Sequence, residues 1–215
     1  MKKEDLPKVF KILKKDYEEN HAPVVTLVAQ TIKDPFRVLV CALLSTRTKD
    51  ETTSKVCERF FSKIKSINDL YNIDEEELKQ LIYGVGFYNT KAKNLKILAD
   101  IVSKEYNGVI PNTQEELMKL PGVGLKVANL VLAEGFGIPA ICVDIHVHRI
   151  TNRWCLIKTK TPEQTEKMLR EILPKKYWIE INRYLVSLGQ RICKPQKPLC
   201  KICPIESFCG KCIEK

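Results

Sequence analysis

The sequence predicts an all-α protein. Three observations carry that prediction. Apolar residues recur at three- and four-residue spacing along most of the chain, helix-capping residues stand just ahead of several apolar runs, and strand patterns are scarce. The elements follow in order. Leu6, Val9, Phe10 and Leu13 mark an amphipathic N-terminal helix, and Pro23 ends whatever precedes it. Pro35 opens the apolar run from Val38 to Leu44, which reads as a buried helix. Asp50 caps a helix that turns Val56, Phe60 and Phe61 inward, and Ser66 and Asp74 start two short helices. Thr113 followed by Glu116 is a capping-box pattern. Leu125 to Phe136 is another apolar helix, stopped by Gly135, Gly137 and Pro139. Asp144 caps a helix to about Trp154, Pro162 begins another, and the last long helix runs from about Tyr177 to Arg191. Ala140 to Val143 is the best strand candidate, and its place between a proline and a capping aspartate makes it an extended connection.

Composition narrows the class. The 215 residues are 44% hydrophobic and 29% charged, which fits a globular chain and excludes a disordered one. No apolar run approaches the length of roughly 18 residues needed to cross a membrane. The N-terminus, Met1-Lys2-Lys3-Glu4-Asp5, has neither the apolar stretch of a signal peptide nor the acid-poor character of a transit peptide, so the protein is expected to stay where it is made, in the reducing cytoplasm. The formal charge is +10 and the pI near 9.1, the electrostatic footprint of a nucleic-acid binder, although solubility alone also favours surface lysine. No polar segment is long enough to separate independent domains, so any two lobes share the chain more than once.

Nine cysteines in a reducing compartment point to metal or buried thiols rather than a disulfide framework. Cys193, Cys200, Cys203 and Cys209 have six, two and five residues between them, with Pro195, Pro198 and Pro204 interspersed. Zinc modules usually show two close pairs across a long gap, whereas three short unequal gaps suit the thiolates of a 4Fe–4S cube. A zinc knuckle is the alternative. Cys212 reads as a spare, and Cys41, Cys57, Cys142 and Cys155 read as small core residues. Lys194, Lys197, Lys201 and Lys211 would be presented by the same loop to a phosphate backbone.

Leu120-Pro121-Gly122-Val123-Gly124 lies between two helices. Gly122 and Gly124 permit a turn with positive φ, and the amides of such a turn can point at one phosphate oxygen. A looser copy stands at Tyr83-Gly84-Val85-Gly86-Phe87-Tyr88. Lys126 follows the first hairpin in the opening turn of its helix, where the helix dipole opposes an ammonium. Apolar neighbours such as Leu130 would add desolvation, and a neutral amine is a nucleophile able to form a Schiff base. An ordinary solvated lysine is the alternative.

Leu120 to Lys126 resembles the hairpin of the helix-hairpin-helix DNA glycosylases, and Val143-Asp144-Ile145-His146-Val147-His148-Arg149 resembles the aspartate motif of that superfamily. With the C-terminal cysteines, Leu43 to Asp50 and Gly86 to Ala92, the chain is similar to the endonuclease III family over nearly its whole length. The resemblance implies two helical lobes flanking a cleft. Residues 28–138 would form a helical barrel with the hairpin, and residues 1–27 plus 139–215 a lobe with the iron–sulfur loop at 193–209. It implies Lys126 as nucleophile, Asp144 as catalytic carboxylate and Cys193, Cys200, Cys203 and Cys209 as ligands of the 4Fe–4S cluster. Arg47 and Phe87 fall where relatives fill the gap left by an everted nucleotide. Gly122, Gly124, His146, Lys194, Lys197 and Lys201 join them as expected DNA contacts. The implied activity is removal of damaged pyrimidines from duplex DNA, followed by β-elimination at the abasic site, by a monomer. A monofunctional mismatch glycosylase is the first alternative, but such relatives usually lack a lysine at the position of Lys126. A non-catalytic iron–sulfur protein, serving DNA binding or electron transfer, is the second.

Overall fold

The computed structural model describes residues 1–20 and 33–212. Among them the secondary structure is helical, with no strand. The helices are α1 (Leu6–Glu18), α2 (Pro35–Ser45), α3 (Asp50–Lys63), α4 (Ile67–Asn72), α5 (Glu75–Leu81), α6 (Tyr88–Glu105), α7 (Gln114–Leu117), α8 (Leu125–Leu130), α9 (Ile145–Arg153), α10 (Pro162–Ile172) and α11 (Glu180–Arg191). The helix α8 continues as a π-helical turn, Val131–Gly135, so the apolar run after the hairpin changes its winding halfway.

Short polar side chains set most of the helix starts. Asp34 Oδ1 accepts from Phe36 N at 2.9 Å, with Pro35 at the first helical position. Ser66 and Asp69 form a reciprocal capping box on α4, and Asp74 Oδ1 accepts from Glu76 N at 2.8 Å on α5. Thr161 caps α10 through Gln164 N. The expectation for Asp50 is off by one residue. It is the first helical residue of α3 and Lys49 holds the cap position, so its carboxylate acts on the helix dipole instead of closing the cap. The expected domain boundary at residues 27 and 28, and the break at Pro23, lie outside the described residues.

The chain divides into two compact units. One combines α1 with everything from Pro139 onward. Its core gathers Leu6, Val9, Phe10 and Leu13 of α1 with Val147, Ile150 and Trp154 and with Ile181, Leu185 and Leu188 of α11. Phe10 stacks on Tyr177 at 4.1 Å between ring centroids. The extended connection Ala140 to Val143 is buried here, and Asn182 Nδ2 donates to Cys142 O at 3.1 Å, which satisfies a carbonyl that no sheet partner would reach.

The other unit contains α2 to α8. The helix α2 is buried from Val38 to Leu44 and packs on α8 and its π turn, while α4 and α5 pack on α6. Leu95, Leu98, Ala99 and Val102 supply the inner face of α6. Lys91 shares that face and is only 9% exposed.

Candidate active site and cysteine loop

In the first hairpin, α7 ends at Leu117, the chain turns through Leu120 to Gly124, and α8 begins at Leu125. Leu120 and Val123 are buried and anchor the turn, and Val123 N donates to Leu120 O at 3.1 Å. Gly122 has φ +80°, where a side chain would be strained, and an added Cβ would press on Asn94 and Leu43. Gly124 differs from expectation. It is extended at φ −95° as the N-cap residue of α8, so Gly122 alone of the pair uses a positive φ. Lys126 is the second residue of α8 and is exposed. The desolvating surroundings expected around it are therefore not there. Among the described residues the lysine that the fold buries is Lys91, and burial lowers its pKa from the usual lysine value to about 8.

Arg47 and Phe87 come together. Arg47 sits in the turn between α2 and α3, Phe87 at the N-cap of α6, and the guanidinium carbon lies 5.4 Å from the ring centroid. Both are left-handed, with φ 51° and 57°, and both are exposed.

In the other unit, Asp144 is the N-cap of α9. Its Oδ1 accepts from His146 N at 2.9 Å and from Val147 N at 2.8 Å, so both capping bonds use a single oxygen of the carboxylate. His146 Nδ1 accepts from Arg149 Nη2 at 3.1 Å, whereas His148 Nδ1 bonds Thr165 Oγ1 at 2.7 Å. The two histidines face different elements, His146 the α11 backbone at Gly189 and His148 Thr165 of α10, as their spacing on a helix requires.

The helix α9 also grips the cysteine loop, through Arg149 and Arg153. Arg149 Nη2 donates to Cys193 O at 2.8 Å. Arg153 Nη1 donates to Lys194 O and Nη2 to Pro195 O, each at 2.6 Å, and Nη1 also lies 3.5 Å from Cys193 Sγ. Their i, i+4 spacing behind Asp144 was the available signal.

Cys193, Cys200, Cys203 and Cys209 line one pocket with Trp154, Leu188, Ile192 and Ile205. All four are partly buried, and three of them, Cys193, Cys203 and Cys209, pack against the core of their unit. Burial pushes the Cys203 thiol up to about 11 and Cys209 upward, and mutual repulsion among the cysteines adds to both. Thiols raised in this way stay protonated at neutral pH, and a bound cation would be needed to hold them as thiolates. No group of three or more Cys, His, Asp or Glu is arranged to hold a single metal ion among the described residues. Lys194, Lys197 and Lys201 are exposed along the loop, while Lys211 is engaged by Glu206 at 2.8 Å.

Cys41, Cys57 and Cys142 are buried as expected, but Cys155 and Cys212 are not as expected. Cys155 is exposed at the end of α9 with φ 55°, and it forms a disulfide with Cys212 across 57 residues, Cα to Cα 5.5 Å. Cys212 is therefore no spare. The bond ties the chain beyond the fourth cysteine to α9, where Gly210 N and Cys212 N also donate to Trp154 O and Arg153 O.

Comparison with known proteins agrees with this geometry. A model of the HhH-GPD superfamily base excision DNA repair proteins matches residues 40–175. Endonuclease III of Thermotoga maritima is 46% identical over 176 residues, covering 82% of this chain and 83% of that protein. Endonuclease III of Rickettsia prowazekii is 37% identical over 209 residues, covering 97% and 96%. Among solved structures, a trapped endonuclease III–DNA covalent intermediate with an estranged adenine superposes with a TM-score of 0.83 at 32% identity, covering 98% of this chain and 97% of that one. The chain belongs to the HhH-GPD superfamily of base excision DNA repair proteins and, within it, to the endonuclease III family.

Proposed function

We propose that this protein excises oxidised or otherwise damaged pyrimidines from duplex DNA and cleaves the abasic site through a lysine Schiff base. The observation that carries the reading is Lys126 on the second helix of a glycine hairpin, in a chain similar to an endonuclease III trapped covalently on DNA. A damaged base must leave the stack before its glycosidic bond is reachable, and Arg47 and Phe87 would fill the gap. The Lys126 amine attacks the sugar anomeric carbon, and the C–N bond to the base breaks as the new C–N bond forms. The charged Asp144 carboxylate stabilises positive charge developing on the sugar, and then takes the proton that the attacking nitrogen loses once the new C–N bond has formed. Opening of the sugar ring gives the Schiff base. It acidifies the neighbouring carbon, whose proton leaves as the 3′ phosphate is expelled. The capping bonds to Oδ1 hold the carboxylate in place and leave Oδ2 for this role.

Cys193, Cys200, Cys203 and Cys209 would hold the 4Fe–4S cluster. The residues fit it: four thiols line one pocket, and a cube takes four thiolates, one for each iron. When bound, the cluster would supply charge compensation and a rigid anchor for the loop that presents Lys194, Lys197 and Lys201 to the phosphate backbone. The hairpin amides around Gly122 and Gly124 would grip a second phosphate.

Borohydride reduction on duplex DNA with one abasic site tests the reading. The wild type is expected to give a covalent adduct on a denaturing gel, absent in Lys126→Ala. Asp144→Asn is expected to slow single-turnover base release by about 10²- to 10⁴-fold. Base release without any adduct from the wild type would favour the monofunctional alternative.

A further inference from the structure

Arg47 and Phe87 present a physical difficulty. Each is a non-glycine residue in the left-handed region, they stand on separate segments, and both side chains are exposed. Such residues persist only where their surroundings over-determine them. An exposed cation–π contact at 5.4 Å is too weak to do so by itself.

The support lies beneath. Lys91 Nζ donates to Leu44 O at 2.8 Å, to Thr46 O at 2.7 Å and to Thr48 Oγ1 at 3.3 Å, acceptors that bracket Arg47 from both sides. An ammonium has three donor hydrogens, and three acceptors meet it. Thr48 Oγ1 in turn accepts from Gly86 N at 3.1 Å, the residue before Phe87. The two segments are in such close contact that a Cβ on Gly86 would fall 2.5 Å from Arg47 O. Lys91 N donates to Phe87 O at 3.0 Å in the first turn of α6. One residue therefore fastens both segments, one through its side chain and the other through its backbone. A methionine of similar length would fill the space and make none of the three side-chain bonds.

We propose that Lys91 is a positioning residue for the DNA reaction: its buried amine clamps the Leu44–Thr48 turn against Gly86 and so sets the Arg47–Phe87 pair in the geometry that fills the gap in the duplex. This rests on the reading, given above, that the pair acts as a wedge. The wedge matters only where a partner strand has to be kept from collapsing into the gap. The relevant readout is therefore the ratio of β-elimination rates on duplex and on single-stranded DNA carrying the same abasic site.

The experiment measures both rates under single-turnover conditions for the wild type, Lys91→Met and Thr48→Val, with folding followed by thermal melting. The duplex to single-strand ratio of Lys91→Met is expected to fall by about 10- to 100-fold, the scale of a misplacement near 1 Å. Thr48→Val, which removes the shared hydroxyl, is expected to lower the ratio in the same direction, and the double variant by less than the product of the two. An unchanged ratio overturns the proposal, whether both rates survive or both fall together, because the latter marks a purely structural lysine. If Lys91→Met does not fold, Thr48→Val alone decides by the same criterion. A wild type that forms no borohydride adduct on either DNA is a different outcome: it removes the lyase reading, and this proposal falls with it.

Discussion

The turn after α2 and the cysteine loop solve the same problem at different scales. Each is an irregular segment whose carbonyls need donors, and each receives them from a cationic side chain on a neighbouring helix. Lys91 serves Leu44 O and Thr46 O, and Arg149 and Arg153 serve Cys193 O, Lys194 O and Pro195 O. The turn is a few residues long and hangs from α2, which is buried from Val38 to Leu44, so one buried amine suffices. The loop is much longer and, from Lys194 to Cys209, contributes Ile205 as its fully buried apolar residue. Beside the arginine bonds it carries a disulfide and four thiols that line one pocket. Where apolar packing runs out, a covalent cross-link takes its place.

The largest effect expected from this contrast is on the thiols. Cys203→Ser, or removal of bound metal by a chelator, is expected to destabilise the unit containing α9 and α11 by several kcal/mol, as metal-held modules generally behave. Differential scanning calorimetry should show that unit melting early while the unit containing α2 to α8 keeps its transition. Loss of both transitions together would break the contrast. The disulfide comes next. Cys155→Ser with Cys212→Ser is expected to cost about 2–4 kcal/mol, the usual range for a cross-link. Urea unfolding of the wild type with and without reductant measures the same quantity. Cluster absorbance should survive in the disulfide variant, because neither residue lines the pocket that the four thiols share.

The sequence made these two regions unequally legible. Asp144 was readable because a capping aspartate announces itself by position, and the bonds to His146 N and Val147 N bear it out. The four thiols were readable as a set from their spacing. The disulfide was not, because partners 57 residues apart meet only through tertiary structure and connectivity is not encoded locally. Lys126 was expected to be desolvated because Leu130 follows one turn later, but apolar neighbours in sequence need not cover a side chain at the surface. Lys91 has a signature in its spacing. It occupies the same helical stripe as Leu95, Leu98 and Val102, and a lysine on an inward stripe asks for buried acceptors.

The smallest effect also concerns Lys91, and it separates two forces acting on one amine. Burial favours the neutral form and lowers the pKa to about 8, whereas the carbonyls of Leu44 and Thr46 favour the ammonium. The sign follows from linkage. The folded pKa lies below the unfolded lysine value of 10.5, so between the two the unfolded chain holds the proton more firmly. The contribution of Lys91 to stability is least favourable below pH 8 and improves as pH rises toward 10.5, by no more than about 1.4 kcal/mol per pH unit. Subtracting the urea stability curve of Lys91→Met from that of the wild type between pH 7 and 10.5 cancels the titration of other groups. A difference that grows with pH means that burial dominates. A flat difference means that the carbonyls hold the ammonium against burial, and the clamp would then be charged throughout the range in which the enzyme meets DNA.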